Sequence, residues 1–178
     1  MGIKKLLLKT VLVILPLAVI GSLAQAASCN TDDTNFSCVD FIRNPDGDTV
    51  YVDLPGTHPL LGERIAIRIS GIDTGEMRAY KGRSQCEKEM AVFAKEELEE
   101  ILSAANSIKL TNARRGKYFR ILVDIVVDKK SVGKYLVKKH LAVHYSGGAR
   151  GGVDWCAMLE KYKRTRRTFY DVSGAVEL

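Results

Sequence analysis

Three stretches of the chain gather side chains suited to phosphate and hard cations. Asp46-Gly47-Asp48-Thr49 sets two carboxylates around a glycine. Asp-Gly is a favoured hairpin turn in any protein, which accounts for Asp46 without further chemistry. Asp48 falls at the start of a strand, where aspartate is disfavoured, and so needs another reason. Ile72-Asp73-Thr74-Gly75-Glu76 places two more carboxylates directly after an apolar strand. Hard cations take oxygen ligands from carboxylates and main-chain carbonyls, and Asp48 and Asp73 can supply two from separate segments. Two arginines complete the group. Arg68 lies on the strand face opposite Ile65, Ile67 and Ile69, and Arg120 closes Gly116-Lys117-Tyr118-Phe119-Arg120. A single strand arginine commonly just points into solvent. Two of them with three acids make a different proposition, because guanidinium binds phosphate bidentately and stays charged as a phosphoryl transition state develops.

Other conspicuous residues read as structural. His140 and His144 are four apart, but no Glu follows His140 as a metalloprotease helix requires. Lys161, Lys163, Arg164, Arg166 and Arg167 form a solvated helix face that can also draw polyanions by salt-sensitive attraction. Trp155 and Leu159 read as core packing. The four cysteines, Cys29, Cys38, Cys86 and Cys156, include no C-x-x-C pair and no histidine at zinc spacing. An even count in an exported chain suggests two disulfides, with three pairings open. Cys29 and Cys38 are close enough to close a small loop. Cys86 and Cys156 would then join the starts of two helices.

The elements that must position these groups are bounded by length and composition. The chain has 178 residues, 46% hydrophobic and 27% charged, with a formal charge of +6. That is the balance of one globular domain and excludes a multidomain enzyme or a full (β/α)8 barrel. Lys4, Lys5 and Lys9 precede an apolar run, Val11 to Ile20, and an Ala24-Gln25-Ala26 triplet. Together these read as a secretory signal peptide over residues 1–26, too short in its apolar part to span a bilayer. Ala26-Ala27-Ser28-Cys29 is a poor match to a lipoprotein site, which leaves lipidation of Cys29 as a minor alternative. Cleavage after Ala26 leaves 152 residues and a charge of +3. Any anion-binding argument therefore rests on where the charges sit, not on the total.

Within 27–178 the pattern reads as one domain. Residues 27–37 read as an irregular arm. Strands are expected at Cys38–Ile42, Thr49–Val52, Arg64–Ile69, Ile108–Leu110 and Phe119–Val127. Ser84 to Leu102 carries a helical stripe of Met90, Phe93, Ala94, Leu98, Ile101 and Leu102, opened by a Ser84/Glu87 capping box. Shorter helices are expected at Ser131–His140 and Trp155–Phe169, the last within a C-terminal segment 153–170. Strands that cluster rather than alternate with helices indicate an α+β fold. Five short strands with about three helices fit a Greek-key barrel of the OB type.

The ordered set Asp46-Gly47-Asp48-Thr49-Val50, Arg68-x4-Asp73-Thr74-x-Glu76 and Lys117-Tyr118-x-Arg120 resembles the staphylococcal nuclease-like (thermonuclease) family. The resemblance runs from about Phe41 to about Tyr145, with Lys134 to Val143 similar to the family's short helix and the apolar turn after it. It implies an OB-fold, Ca2+-dependent phosphodiesterase acting on DNA and RNA with little sequence preference and leaving 3′-phosphates. It further implies that Asp48 and Asp73, with the main-chain carbonyl of Thr74, hold Ca2+. Glu76 then acts as general base or orders the attacking water, and Arg68 and Arg120 stabilise the transition state. Lys117 and Tyr118 match residues that contact the nucleotide, and Tyr145 falls near a family tyrosine that could stack on a base. The family suggests a monomer. Three departures stand out: Gly75 in place of the usual proline, which is expected to loosen the loop that aims Glu76; Phe119, where glycine is frequent; and His140, where glycine is common.

Two further readings compete with an exported nuclease. A noncatalytic OB-fold module could bind nucleic acid, but would have no need of the full set Asp48, Arg68, Asp73, Glu76 and Arg120. A disulfide-stapled envelope protein would leave that set as coincidence and would show no coherent acidic pocket.

Overall fold

The structure, a computed structural model, describes Cys29 and residues 31–117, 120–148 and 152–165. The expected signal peptide, Tyr118, Phe119, Arg166, Arg167 and Phe169 lie outside these residues. Two antiparallel strands, β1 (Asp40–Arg43) and β2 (Thr49–Asp53), flank the Asp46-Gly47 turn. Alternation buries Val50 and Val52 on one face of β2 while Thr49, Tyr51 and Asp53 stay partly exposed. A one-turn helix α1 (Pro59–Gly62), absent from the sequence expectation, leads into β3 (Ile65–Ile69). The two-residue β4 (Ile72–Asp73) follows at once, then helix α2 (Gln85–Ser103).

The second half supplies β5 (Ile108–Arg115), β6 (Ile121–Val127), β7 (Lys130–Ser131), helix α3 (Val132–Lys138), β8 (Val143–His144) and helix α4 (Trp155–Arg164). The main sheet runs β1-β2-β3-β6-β5, with β7 added on β6 and a separate β4-β8 pair. All its pairings are antiparallel except β3 with β6. β5 is much longer than the expected Ile108–Leu110. A bulge between Thr111 and Arg114, with Asn112 at φ 56°, carries the polar half of the strand onward in register with β6.

The stretch read as an irregular arm meets the sheet through an isolated bridge. Phe36 N–H donates to Leu110 O (2.8 Å) and Leu110 N–H to Phe36 O (2.9 Å), so the lead-in to β1 pairs with β5 on the sheet's far edge. This bridge links the two ends of an otherwise open, mixed α+β sheet, consistent with the expected fold of the OB type. α2 buries Met90, Ala91, Ala94, Leu98, Ile101 and Leu102 against the sheet, beside Ile67, Ile69, Val123 and Ile125. Phe93, on the edge of that stripe, packs tilted against Tyr162 of α4, with ring centroids 5.1 Å apart. Trp155 packs at the core's margin and Leu159 lies inside it.

Both disulfides follow the expected pairing. Cys29–Cys38 closes a loop of nine residues, and Cys86–Cys156 ties the start of α2 to the start of α4 across seventy. With its sulfur bonded to Cys38, Cys29 has no thiol left for a thioether lipid. His140 sits at φ 60°, which explains why a glycine would suit that position. On α4, Lys163 lies 3.6 Å from Glu89 of α2, and Lys161 and Arg164 face solvent. No described helix is long and apolar enough to cross a membrane.

Candidate active site

Both acid-bearing loops are seated on one helix face. A Cβ on Gly47 would lie 2.6 Å from Ala94 Cβ and 3.0 Å from Thr74 Cγ2. A Cβ on Gly75 would lie 2.7 Å from Glu87 O and 3.0 Å from Ala91 N. Neither glycine has a positive φ, so close approach is what requires them. The small size of Gly75 lets the loop press flat on α2 beside Ala91. Asn44 fixes the other loop, its Nδ2 donating to Asp46 O (3.1 Å) and Lys95 O (2.8 Å). Asp46 Oδ1 accepts from the N–H groups of Asp48 (3.1 Å) and Thr49 (2.7 Å), shaping the turn so that Asp48 faces inward.

Strand register brings the charged residues together. Thr49 pairs with Arg68 across β2 and β3, placing Asp48 one step beyond. Asp73 ends the short β4, two residues past the Ser70-Gly71 turn. The Arg68 guanidinium lies between the two carboxylates, donating to Asp48 Oδ1 (2.5 Å) and Asp73 Oδ1 (2.5 Å). The three side chains are shut from solvent, with Asp48 only 2% exposed, Asp73 5% and Arg68 9%. Thr74, also buried, donates its N–H to Asp48 Oδ2 (3.2 Å). Burial pushes the Asp48 carboxyl up to about 7; Arg68 opposes this, while the charges of Asp46 and Asp73 add to it. One guanidinium thus faces two buried carboxylates, with a third close by.

The remaining expected residues surround this cluster unevenly. Glu76 is half-buried, and its Oε1 accepts from Arg78 N–H (3.3 Å). Arg120 is exposed just before β6, and Gly116 N–H donates to its carbonyl (2.8 Å). Leu122 pairs with Arg68 in the parallel β3–β6 register, so Arg120 lies at the entry to β6, two residues before that pair. Lys117 is exposed in the same turn. Tyr145 is half-buried beyond β8. Its N–H donates to Gly71 O (2.9 Å) and its hydroxyl to Gly148 O (2.7 Å), which anchors the ring near the β3–β4 turn. The structure brings Asp48, Arg68, Asp73 and Thr74 into direct contact, while Lys117 and Arg120 are exposed in the turn before β6.

Sequence reasoning missed two residues that shape the loop of Glu76. Ser84 caps α2 as expected, accepting from Glu87 N–H (3.0 Å). The Glu87 carboxylate, expected to complete the capping box, instead accepts from Glu76 N–H (3.2 Å) and the Tyr80 hydroxyl (2.6 Å). Arg83 Nη1 donates to the carbonyls of Glu76 (3.1 Å) and Met77 (2.7 Å). A capping-box pattern looks the same in sequence whether its acid serves the helix or a neighbouring loop.

Among the described residues no group of three or more His, Cys, Asp or Glu side chains gathers as a metal cluster. The donor set offered by Asp48, Asp73 and Thr74 is all oxygen. Two carboxylates here are only partly neutralised by Arg68, which is the chemistry a hard cation such as Ca2+ accepts when water completes its shell. No curated protein matches the chain. Residues 66–164, from β3 through α4, match the family model for staphylococcal nuclease homologues. With more than half of its length matched, and with the α+β fold and buried acid–arginine cluster in place, the chain belongs to the family of staphylococcal nuclease homologues.

Proposed function

We propose that this protein is an exported, Ca2+-dependent nuclease that hydrolyses phosphodiester bonds of DNA and RNA with little sequence preference, leaving 3′-phosphates. The observation that carries this reading is the buried Asp48–Arg68–Asp73 cluster beside Glu76, in a chain of a nuclease-type family. Asp48, Asp73 and the main-chain carbonyl of Thr74 would hold Ca2+, which when bound supplies positive charge to the non-bridging oxygens of the scissile phosphate. Glu76 takes a proton from the attacking water, or orients that water in line with the leaving oxygen. Arg68 uses two of the five N–H groups of a guanidinium on the carboxylates, which leaves donors for a phosphate oxygen. Arg120, at the entry to the strand paired with that of Arg68, adds charge where negative charge grows. Lys117 and Tyr118 contact the nucleotide, and Tyr145 offers a ring for stacking on an unpaired base. Single-stranded or frayed substrate therefore suits the site.

Export rests on the signal-like segment 1–26 together with the two disulfides, which persist in oxidising compartments such as a periplasm or the extracellular space. The mature protein is then the single nuclease domain 27–178, acting as a monomer. The test is cleavage of single-stranded DNA by the oxidised mature protein with Ca2+ and with a chelator, beside Glu76→Gln. Calcium-dependent cleavage that falls by about 10²–10⁴ in the variant is expected. Binding without cleavage under every metal condition would leave only a noncatalytic OB-fold nucleic-acid-binding protein.

A further inference from the structure

We infer that Glu87 is a positioning residue for the reaction, holding the main chain of Glu76 in place from the first turn of α2, with Arg83 as its counterpart on the other side of the same residue. The inference rests on the reading of Glu76 as the base.

Both polar groups of the Glu76 main chain end on side chains. Its N–H donates to Glu87 Oε1 (3.2 Å), and its carbonyl accepts from Arg83 Nη1 (3.1 Å). The same guanidinium nitrogen also reaches Met77 O (2.7 Å), so the turn after Glu76 is clamped. The preceding residue, Gly75, lies against α2 without room for a Cβ. Gly75 and the Glu76 N–H are thus fixed to α2, and the carbonyls of Glu76 and Met77 to Arg83 just before its cap. Glu87 is itself well held. It is 6% exposed, its N–H is capped by Ser84, and the Tyr80 hydroxyl occupies its second carboxylate oxygen at 2.6 Å. Its neighbour Cys86 is bonded to Cys156 of α4. A buried carboxylate that gives its oxygens to a loop N–H and a tyrosine, and not to its own helix, is an expensive arrangement unless the loop's position matters.

Main-chain anchoring sets where Cα of Glu76 sits, and with it the reach of the side chain. A displacement of about 1 Å in a reacting group can cost about 10²-fold in rate. A positioning role therefore predicts a loss in kcat that depends on Glu76, with KM and the Ca2+ requirement unchanged.

The experiment measures kcat and KM on single-stranded DNA for the mature oxidised protein carrying Glu87→Ala or Glu87→Gln, each in the wild-type and the Glu76→Gln background. Glu87→Ala is expected to lower kcat by about 10–100-fold with KM unchanged. Glu87→Gln, whose amide oxygen still accepts the Glu76 N–H, is expected to restore most of that loss. In the Glu76→Gln background, Glu87→Ala should cost nothing further, because the group it aims is already disabled. An equal loss in both backgrounds, or a change in KM instead of kcat, would overturn the inference. If Glu87→Ala does not fold, Arg83→Met makes the same comparison from the carbonyl side. Loss of activity in Glu76→Gln with no effect of Glu87→Ala or Arg83→Met defeats this inference alone. Full activity in Glu76→Gln, or no cleavage by the wild type, defeats the reading of Glu76 and this inference with it.

Discussion

Replacing Arg68 by methionine tests the electrostatic logic of the site most directly. The change keeps much of the side-chain volume and removes the one cation between two carboxylates that are 2% and 5% exposed. Removing one partner of a buried ion pair costs about 3–5 kcal/mol, because the charge left behind is uncompensated. In a domain of about 150 residues each kcal/mol shifts the melting temperature by about 2–4 °C, so Arg68→Met should melt about 6–20 °C below the wild type in chelator. Saturating Ca2+ should return more of that stability to the variant than it adds to the wild type, since a cation then replaces the charge of Arg68 beside the two carboxylates; a hundredfold excess over Kd is worth about 2.7 kcal/mol. The pH dependence has a definite sign. Carboxyls raised above their unfolded values stabilise the fold when protonated and lose that contribution as pH rises through the folded value. Burial already pushes Asp48 up to about 7 with Arg68 present. The defect of Arg68→Met should therefore shrink as the pH falls from neutrality. Thermal unfolding by circular dichroism, in chelator and in Ca2+ across that range, decides the matter. A variant that melts with the wild type in chelator, or equal Ca2+ gains in both proteins, would refute the reasoning.

Two further outcomes follow from the seating of the loops and the covalent ties. Gly75→Ala should destabilise by about 1–3 kcal/mol in urea unfolding, because its Cβ would press on the α2 main chain, whereas Gly148→Ala, where a Cβ meets nothing within 4 Å, should be nearly neutral; equal effects would rule out close approach as the reason for Gly75. Replacing Cys86 and Cys156 by serine should cost more stability than replacing Cys29 and Cys38, about 4 against about 3 kcal/mol in the chain-entropy view, since the loops closed span seventy and nine residues; the reverse order in urea unfolding would contradict it.

The protein's local order is written in local signals. The alternation in Ile65–Ile69 and the helical stripe from Met90 to Leu102 mark their buried faces, because strand and helix periods are properties of the backbone. Ser84 announces the start of α2 within one residue. The residue types Asp48, Arg68, Asp73 and Glu76, in that order, carry the resemblance to the nuclease family and the function proposed from it, since few side chains suit phosphate and a hard cation together. What no local signal carries is contact between distant segments. The polar arm before β1 reads as irregular and is so apart from isolated bridges, yet Phe36 pairs with Leu110, seventy-four positions away. Gly75 reads as a source of slack, yet α2 behind it makes the same residue a point of tight contact. Glu87 reads as a helix cap, yet the Glu76 loop folds back to within reach of its carboxylate. Composition and periodicity fix which faces are apolar and which residues hold charge. Only the folded chain decides which partner each buried charge meets, because that depends on strand register and on where glycine lets two backbones touch.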